Sequence, residues 1–295
     1  MTAMTAADVA LLLTNRIAPG AAEPFKAKEF WSLVARIPLG ELAGVAPDEL
    51  GDRLGDPALA DRVLTLLDAA TSFALARGEL ESKGIRLLAP GDGIFPDRLI
   101  ACLGAASPPM LYAAGPVAWL AEPLVGVVGS GSVDGPGDSV AEAVADVAAR
   151  VGAGIVSGGA RGADQLALDA ALRAGIPSVG VPAEGLERAA RRKEIRAPVG
   201  AGRLLIVSPF APDAGFSERA AMGRNKLIYA LATTTLVVAS DLDIGETWAG
   251  ATEALRRGFG AVAVWTGDGA GPGNDALAAH GATPVDSLDA WDPGW

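Results

Sequence analysis

Glycines, serines, arginines and a few carboxylates recur in this chain at spacings that suit the binding of a phosphate. The first such segment is Val128-Gly129-Ser130-Gly131-Ser132. Its glycines let the backbone approach an anion, and Ser130 and Ser132 offer hydroxyl donors. The second is Ser157-Gly158-Gly159-Ala160-Arg161-Gly162-Ala163-Asp164. Small residues there expose backbone donors, and Arg161 can grip a phosphate through two parallel N–H···O bonds or else form a surface ion pair. Asp164 can cap or charge the first turn of the helix that follows. The third runs Met222-Gly223-Arg224-Asn225-Lys226 and resumes, after an apolar run, at Gly245-Glu246-Thr247 and on to Glu253. Arg224 and Lys226 are expected near the start of a helix, where cations oppose the macrodipole and a bound anion would compensate them. Thr247 would open the next helix, capping it and donating to the anion. Glu253 follows on that helix, either close to the same face or as a solvated carboxylate. The expected ligand-binding set is therefore Gly129, Ser130, Ser132, Ser157, Gly158, Gly159, Arg161, Gly162, Asp164, Arg224, Asn225, Lys226, Gly245 and Thr247. No catalytic residue stands out; were the chain an enzyme, Glu253 and Glu246 would be the carboxylates at hand.

These segments need elements to hold them, and the apolar pattern supplies them. From Leu124 onward, short β-branched runs at 125–128, 154–156, 178–181, 204–207, 236–239, 261–265 and 283–285 predict strands. They alternate with helical stretches at 140–151, 163–174, 186–195, 219–232, 247–257 and 275–279, an alternation that implies βαβ units and a parallel sheet. Open sheets of this kind bind ligands beyond the carboxyl ends of their strands, where helix amino termini present unpaired N–H groups. Residues 6 to about 82 have a 3.6-residue apolar period, broken by Pro19-Gly20, Pro38 and Pro47 into short helices. The stretch 83–123, rich in Pro and Gly, is expected as a connector packed on the core. The predicted fold is thus an α/β class, a Rossmann-like parallel sheet flanked by helices (124–295), preceded by a small helical amino-terminal domain (1–82).

Composition narrows the function. The formal net charge is −11, which argues against a general nucleic-acid coat, since phosphate binding is mostly a Lys/Arg contribution. Between Arg150 and Lys226, however, 12 basic residues face 7 acidic ones. That local excess is compatible with one anionic ligand site and equally with ordinary charge scatter. Cys102 is the single cysteine and His280 the single histidine, so no disulfide, metal site or cofactor is expected. No long apolar run predicts a membrane helix and no leader is evident, which points to the cytoplasm. Trp248, beside Thr247, is the one tryptophan placed to touch a ligand; the others suit packing.

Taken in order, these segments resemble the DNA-processing protein DprA/Smf family. The resemblance rests on Phe95-Pro96, Pro108-Pro109-Met110-Leu111-Tyr112 with Gly115, Val127-Val128-Gly129-Ser130, Ser157 to Asp164, Arg224-Asn225 with Ile228 and Leu231, and Gly271 to Ala282. It implies a sterile-alpha-motif-like helical domain, then a Rossmann-like domain that binds single-stranded DNA. It further implies loading of a RecA-type recombinase during natural transformation, as a homodimer and without a membrane. The chain departs from the family in Gly131, where an arginine usually stands, in Glu246 among usually small residues, and in ending without a winged helix. The same domain is similar to the nucleotide phosphoribohydrolases of the LOG type, within the lysine-decarboxylase-like superfamily. That likeness implies a nucleotide ligand, with Arg224 on the phosphate and Glu253 or Glu246 assisting departure of the base.

Overall fold

The computed structural model describes residues 4–18, 20, 22–130 and 135–294. It divides into two compact units, Met1–Ala113 and Ala114–Trp295. The first holds helices α1 (Ala6–Thr14), α2 (Ala27–Val34), α3 (Leu39–Leu42), α4 (Pro47–Leu54), α5 (Pro57–Asp68) and α6 (Ala70–Ser82), then strand β1 (Arg86–Leu88), helix α7 (Asp97–Leu103) and all but the last residue of strand β2 (Leu111–Ala114). Local chemistry starts these helices where it should. Thr5 and Asp8 form a reciprocal capping box on α1, and Asp56 with Pro57 opens α5. Leu12, Leu13, Phe30, Leu50 and Val63 are buried between them.

The connector expected over 83–123 contains regular structure that the sequence reading passed over. β1 and β2 pair antiparallel, with Leu87 opposite Tyr112. Between them the Asp92 carboxylate accepts the amides of Ala89, Ile94 and Phe95, closing the Gly91–Gly93 turn. The strands were missed because all of Leu111–Ala114 is buried, so no alternation marks it.

The second unit carries β3 (Leu124–Val128), α8 (Pro136–Arg150), β4 (Gly154–Ser157), α9 (Ala163–Ala174), β5 (Ser178–Gly180), α10 (Leu186–Ala189), α11 (Lys193–Gly200), β6 (Leu205–Ser208), α12 (Glu218–Leu231), β7 (Thr234–Val237), α13 (Gly245–Arg257), β8 (Ala261–Trp265), α14 (Asn274–Ala279) and β9 (Thr283–Val285). Its strands run in the order β6-β5-β4-β3-β7-β8-β9 and pair in parallel throughout. The chain winds outward from β3 in one direction, then returns to β7 on its other side. That reversal opens a crevice beyond the carboxyl ends of β3 and β7. Val125, Val127, Ile155 and Leu236 pack against alanine-rich faces of α8 and α9, including Ala141, Ala148, Ala163 and Ala167.

Three expectations are corrected here. The helix expected over 186–195 is two short ones, α10 and α11, with Pro198 inside the second. The strand expected over 236–239 begins at Thr234, because Thr234 and Thr235 are buried despite their hydroxyls. Thr234 donates to the Pro293 carbonyl at 2.6 Å, and Thr235 packs where a side chain at Gly126 would otherwise stand. The third correction concerns Arg224 and Lys226. Helix α12 starts at Glu218 under a Ser217 cap, so both cations sit well inside it and do not oppose its amino-terminal dipole.

Candidate functional site: an anion cavity at the sheet's switch point

Three loops leave the carboxyl ends of β3, β4 and β7, and each is held by hydrogen bonds that owe nothing to a ligand. After β3, the Ser130 amide donates to the Ala239 carbonyl at 2.9 Å, fixing the loop against the chain beyond β7. Gly129 allows this because a Cβ there would stand 2.6 Å from the Ala163 Cβ. After β4, Gly159 (φ 64°) and Gly162 (φ 92°) take left-handed backbone that other L-residues reach only with strain. After β7, Asp243 is, among the described residues, the one non-glycine with positive φ, at 59°, a conformation aspartate tolerates better than most. The turn delivers Ile244 to the amino-terminal cap of α13, and this apolar cap side chain accepts no bond from the first-turn amides.

Between these loops lies a cavity of about 370 Å³, within the range of small-molecule sites. Arg161, Asp164, Arg224, Asn225, Gly245 and Thr247 all line it, as do Gly129, Ser130 and Glu246. Uncapped first turns supply partial positive charge and free N–H donors, and α13 opens directly on the cavity. Arg161 is exposed at the rim and, among the described residues, has no ion-pair or hydrogen-bond partner. Eight of the fourteen expected binding residues are therefore brought to one place by the sheet reversal.

Two buried charges organise the interior. Asp164 is 6 % exposed, and its carboxylate accepts the Gly129 amide at 3.3 Å together with the amides of Gly158 and Ala160. It thus ties the β3 and β4 loops together. Burial pushes its pKa up to about 6 from the ordinary 3.8, and the nearby Arg224 guanidinium opposes that rise. Arg224 is 3 % exposed and donates from Nη1 to the Val181 carbonyl at 2.8 Å. Burial pulls its pKa below the usual arginine value, while Asp164 and Glu246 hold it up. Its guanidinium lies across Gly158, and a Cβ at Gly158 would occupy the guanidinium's own position. Gly158 is a glycine for that reason, not for contact with the cavity. Gly158→Ala should therefore lower stability by about 1–3 kcal/mol through overpacking. Gly223→Ala, in α12 with open space at its Cβ, should raise it by about 0.5–1 kcal/mol. Urea unfolding midpoints of the two variants check the contrast.

Several expected site residues lie elsewhere. The Ser157 hydroxyl is fully buried and donates to the Val127 carbonyl at 2.6 Å, so it fastens β4 to β3. Gly159 and Gly162 shape the loop from outside the cavity lining. Lys226 is half-buried on α12, with its pKa lowered by burial and supported by the charge of Glu253. Glu253 itself pairs with Arg257 at 3.2 Å and does not line the cavity, in keeping with the solvated carboxylate of the two expectations. Thr247 is inside the first turn of α13, not its cap. Asn225 reaches the cavity, yet its amide donates to the Glu246 carbonyl at 3.2 Å, holding α13 to α12. Trp248 is buried against the His280 ring, 5.8 Å between centroids, so it packs and does not face a ligand. Ser132 and Gly131 lie outside the described residues.

Sequence reasoning also missed cavity residues. Tyr229, Asp241 and Ile244 line it. Tyr229 follows Asn225 by one helical turn, which was the available signal. Asn274 went unnoticed too: buried, it accepts the Ser240 amide and donates to the carbonyls of Val238 and Trp265, anchoring the strand end from which the Asp241 loop departs. Among the described residues, no cluster of His, Cys, Asp and Glu could hold a metal ion.

Solved structures of two DNA processing proteins are among those that share this fold. One is DNA processing protein A from Streptococcus pneumoniae, at 22 % identity over 90 % of this chain and 96 % of that one, with a TM-score of 0.65. The other is DNA processing protein A from Helicobacter pylori, described for its mode of single-stranded DNA binding, at 22 % identity over 70 % of this chain and 92 % of that one, with a TM-score of 0.58. No curated protein matches the chain. The model of the family described as DNA recombination-mediator protein A matches residues 86–291, well over half of the sequence. The chain belongs to the DNA recombination-mediator protein A family.

Proposed function

We propose that this chain binds single-stranded DNA, seating a backbone phosphate in the switch-point cavity, and that it does so without catalysing a reaction. The observation that carries the reading is the convergence of Arg161, Arg224 and Thr247 on one cavity with the open first turn of α13. Backbone amides and guanidinium groups hold a phosphate of any sequence, so binding is sequence-tolerant and salt-dependent. The acidic chain limits the number of phosphates engaged, and the affinity should fall less steeply with salt than for a basic DNA-binding protein. In keeping with its family, the protein would work in the cytoplasm as a homodimer and pass the strand to a RecA-type recombinase during DNA uptake. No helix among the described residues is long and apolar enough to cross a membrane.

Fluorescence anisotropy with labelled oligo-dT across a salt series tests this reading. Arg161→Ala, at the exposed rim, is expected to weaken binding equally for different base sequences. It should also reduce the slope of log K against log salt by about 0.7, one single-strand phosphate's share. No detectable binding at about 50 mM salt would overturn the reading, since phosphate contacts are strongest there.

A second reading has one observation in its favour: Glu246 lines the same cavity, which is sized for a single nucleotide. A carboxylate there could stabilise an oxocarbenium-like charge as a base departs from a nucleoside monophosphate, as in the LOG-type enzymes. Incubation with nucleoside monophosphates and chromatography for free base tests it. Absence of released base, with no thermal shift, excludes it.

A further inference from the structure

Among the described residues, two buried side-chain atoms of the cavity lining lack a hydrogen-bond partner, and both can donate. Arg224 Nε and Tyr229 Oη are buried without a hydrogen-bond partner, and both side chains line the cavity. Tyr229 is 1 % exposed, so its hydroxyl is shut off from bulk solvent. A buried hydroxyl left unpaired is destabilising by roughly 1–3 kcal/mol, and folded proteins rarely keep one without a use. The anionic group that acts on the hydroxyl is Asp164, whose oxygens already receive the amides of Gly129, Gly158 and Ala160. Burial and the Asp164 charge raise the Tyr229 pKa, so the phenol keeps its proton and remains a donor. The group that completes this floor is therefore an acceptor brought from outside, and an anionic oxygen suits it better than a neutral one because Arg224 stands at the same site.

We propose that Tyr229 is a ligand-contacting residue whose hydroxyl donates to a phosphate oxygen at the floor of the cavity. This rests on the reading of the cavity as a phosphate site and adds to it a residue on α12 that determines how deeply the phosphate is held. Gly250 on α13 makes room for the arrangement, since a Cβ there would press on Asn225 and on the Tyr229 ring, at 3.2 Å and 3.4 Å. Arg161 meets the ligand at the rim and Tyr229 meets it below. The two contacts are separable by mutation.

The test titrates the wild-type protein, Arg161→Ala and Tyr229→Phe with labelled oligo-dT and with dTMP, alongside thermal midpoints without ligand. A phenol donating to a charged oxygen should be worth about tenfold in affinity. Tyr229→Phe is thus expected to bind about tenfold more weakly while its midpoint stays level or rises, because an unpaired buried hydroxyl has been removed. Unchanged affinity in Tyr229→Phe, with Arg161→Ala weakened, overturns the inference and leaves the phosphate reading standing. A lowered midpoint in Tyr229→Phe also overturns it, since the hydroxyl would then be bonded inside the fold. Failure of the wild-type protein to bind either ligand overturns both.

Discussion

Arg224→Met is expected to destabilise the protein by about 3–5 kcal/mol at neutral pH and to abolish binding of oligo-dT, the largest effect of any single substitution at the site. The size follows from what the guanidinium leaves behind. Arg224 is buried, and it is the opposite charge that counters the burial of the Asp164 carboxylate. Removing one member of a buried charged pair strands the other in a poor dielectric, a loss of about 3–5 kcal/mol. The Val181 carbonyl also loses its 2.8 Å donor. Replacing both members with neutral residues of similar shape removes the stranded charge. The double variant Arg224→Met/Asp164→Asn should therefore recover most of the lost stability while remaining unable to bind. A urea-unfolding double-mutant cycle measures this directly. Additive destabilisation, with the double variant the least stable of all, would show that the two groups do not sense each other.

The sheet and its helices were legible in the sequence because a parallel sheet buried on both faces leaves strong periodic marks. Short β-branched runs separated by amphipathic stretches are difficult to read otherwise, and β8 and β9 fall where the pattern put them. Elements whose polarity misleads were harder. Thr234 and Thr235 look like loop residues until Pro293 and Gly126 are seen to accommodate them. At the site, the glycine-rich turns and the arginines announced a phosphate, but spacing could not tell lining from scaffold. Ser157 and Thr247 look equivalent in sequence; one points into the sheet and the other lies in the first turn of a helix opening on the cavity. Glu253 was drawn to the site by its place on α13, and only the packing shows it turned to Arg257. Tyr229 carries no loop signature at all. Its role depends on the helix face it occupies and on the want of a partner, neither of which is written in neighbouring residues.

Asp164 should make both stability and binding respond to pH, with a sign that separates it from ordinary surface carboxylates. Its folded pKa is about 6 against the ordinary 3.8, so between these values the folded state holds a proton that the unfolded state has lost. Its contribution is present in full below about pH 3.8 and disappears as pH rises through about 6, a difference of about 3 kcal/mol at 1.36 kcal/mol per pH unit. Glu29, whose pKa is lowered by the Lys26 amide and by Arg62, acts with the opposite sign at lower pH. The wild-type curve alone therefore mixes the two. Subtracting the curve for Asp164→Asn, which cannot titrate there, isolates the Asp164 share. The stability difference between the proteins should change by about 2.4 kcal/mol between pH 4 and pH 7, and a flat difference would refute the assignment. Binding follows the same group. A phosphodiester entering beside Arg224, Glu246 and Tyr229 brings a second negative charge toward Asp164 and raises its pKa further. Protons are then taken up on binding, and oligo-dT affinity should strengthen as pH falls from about 7.5 to 6. The internal phosphodiesters of the probe do not titrate in that interval, whereas a phosphomonoester would. Asp164→Asn should flatten this dependence. A slope equally steep in the variant would place the titrating group elsewhere and leave Asp164 with only its role of tying the two loops together.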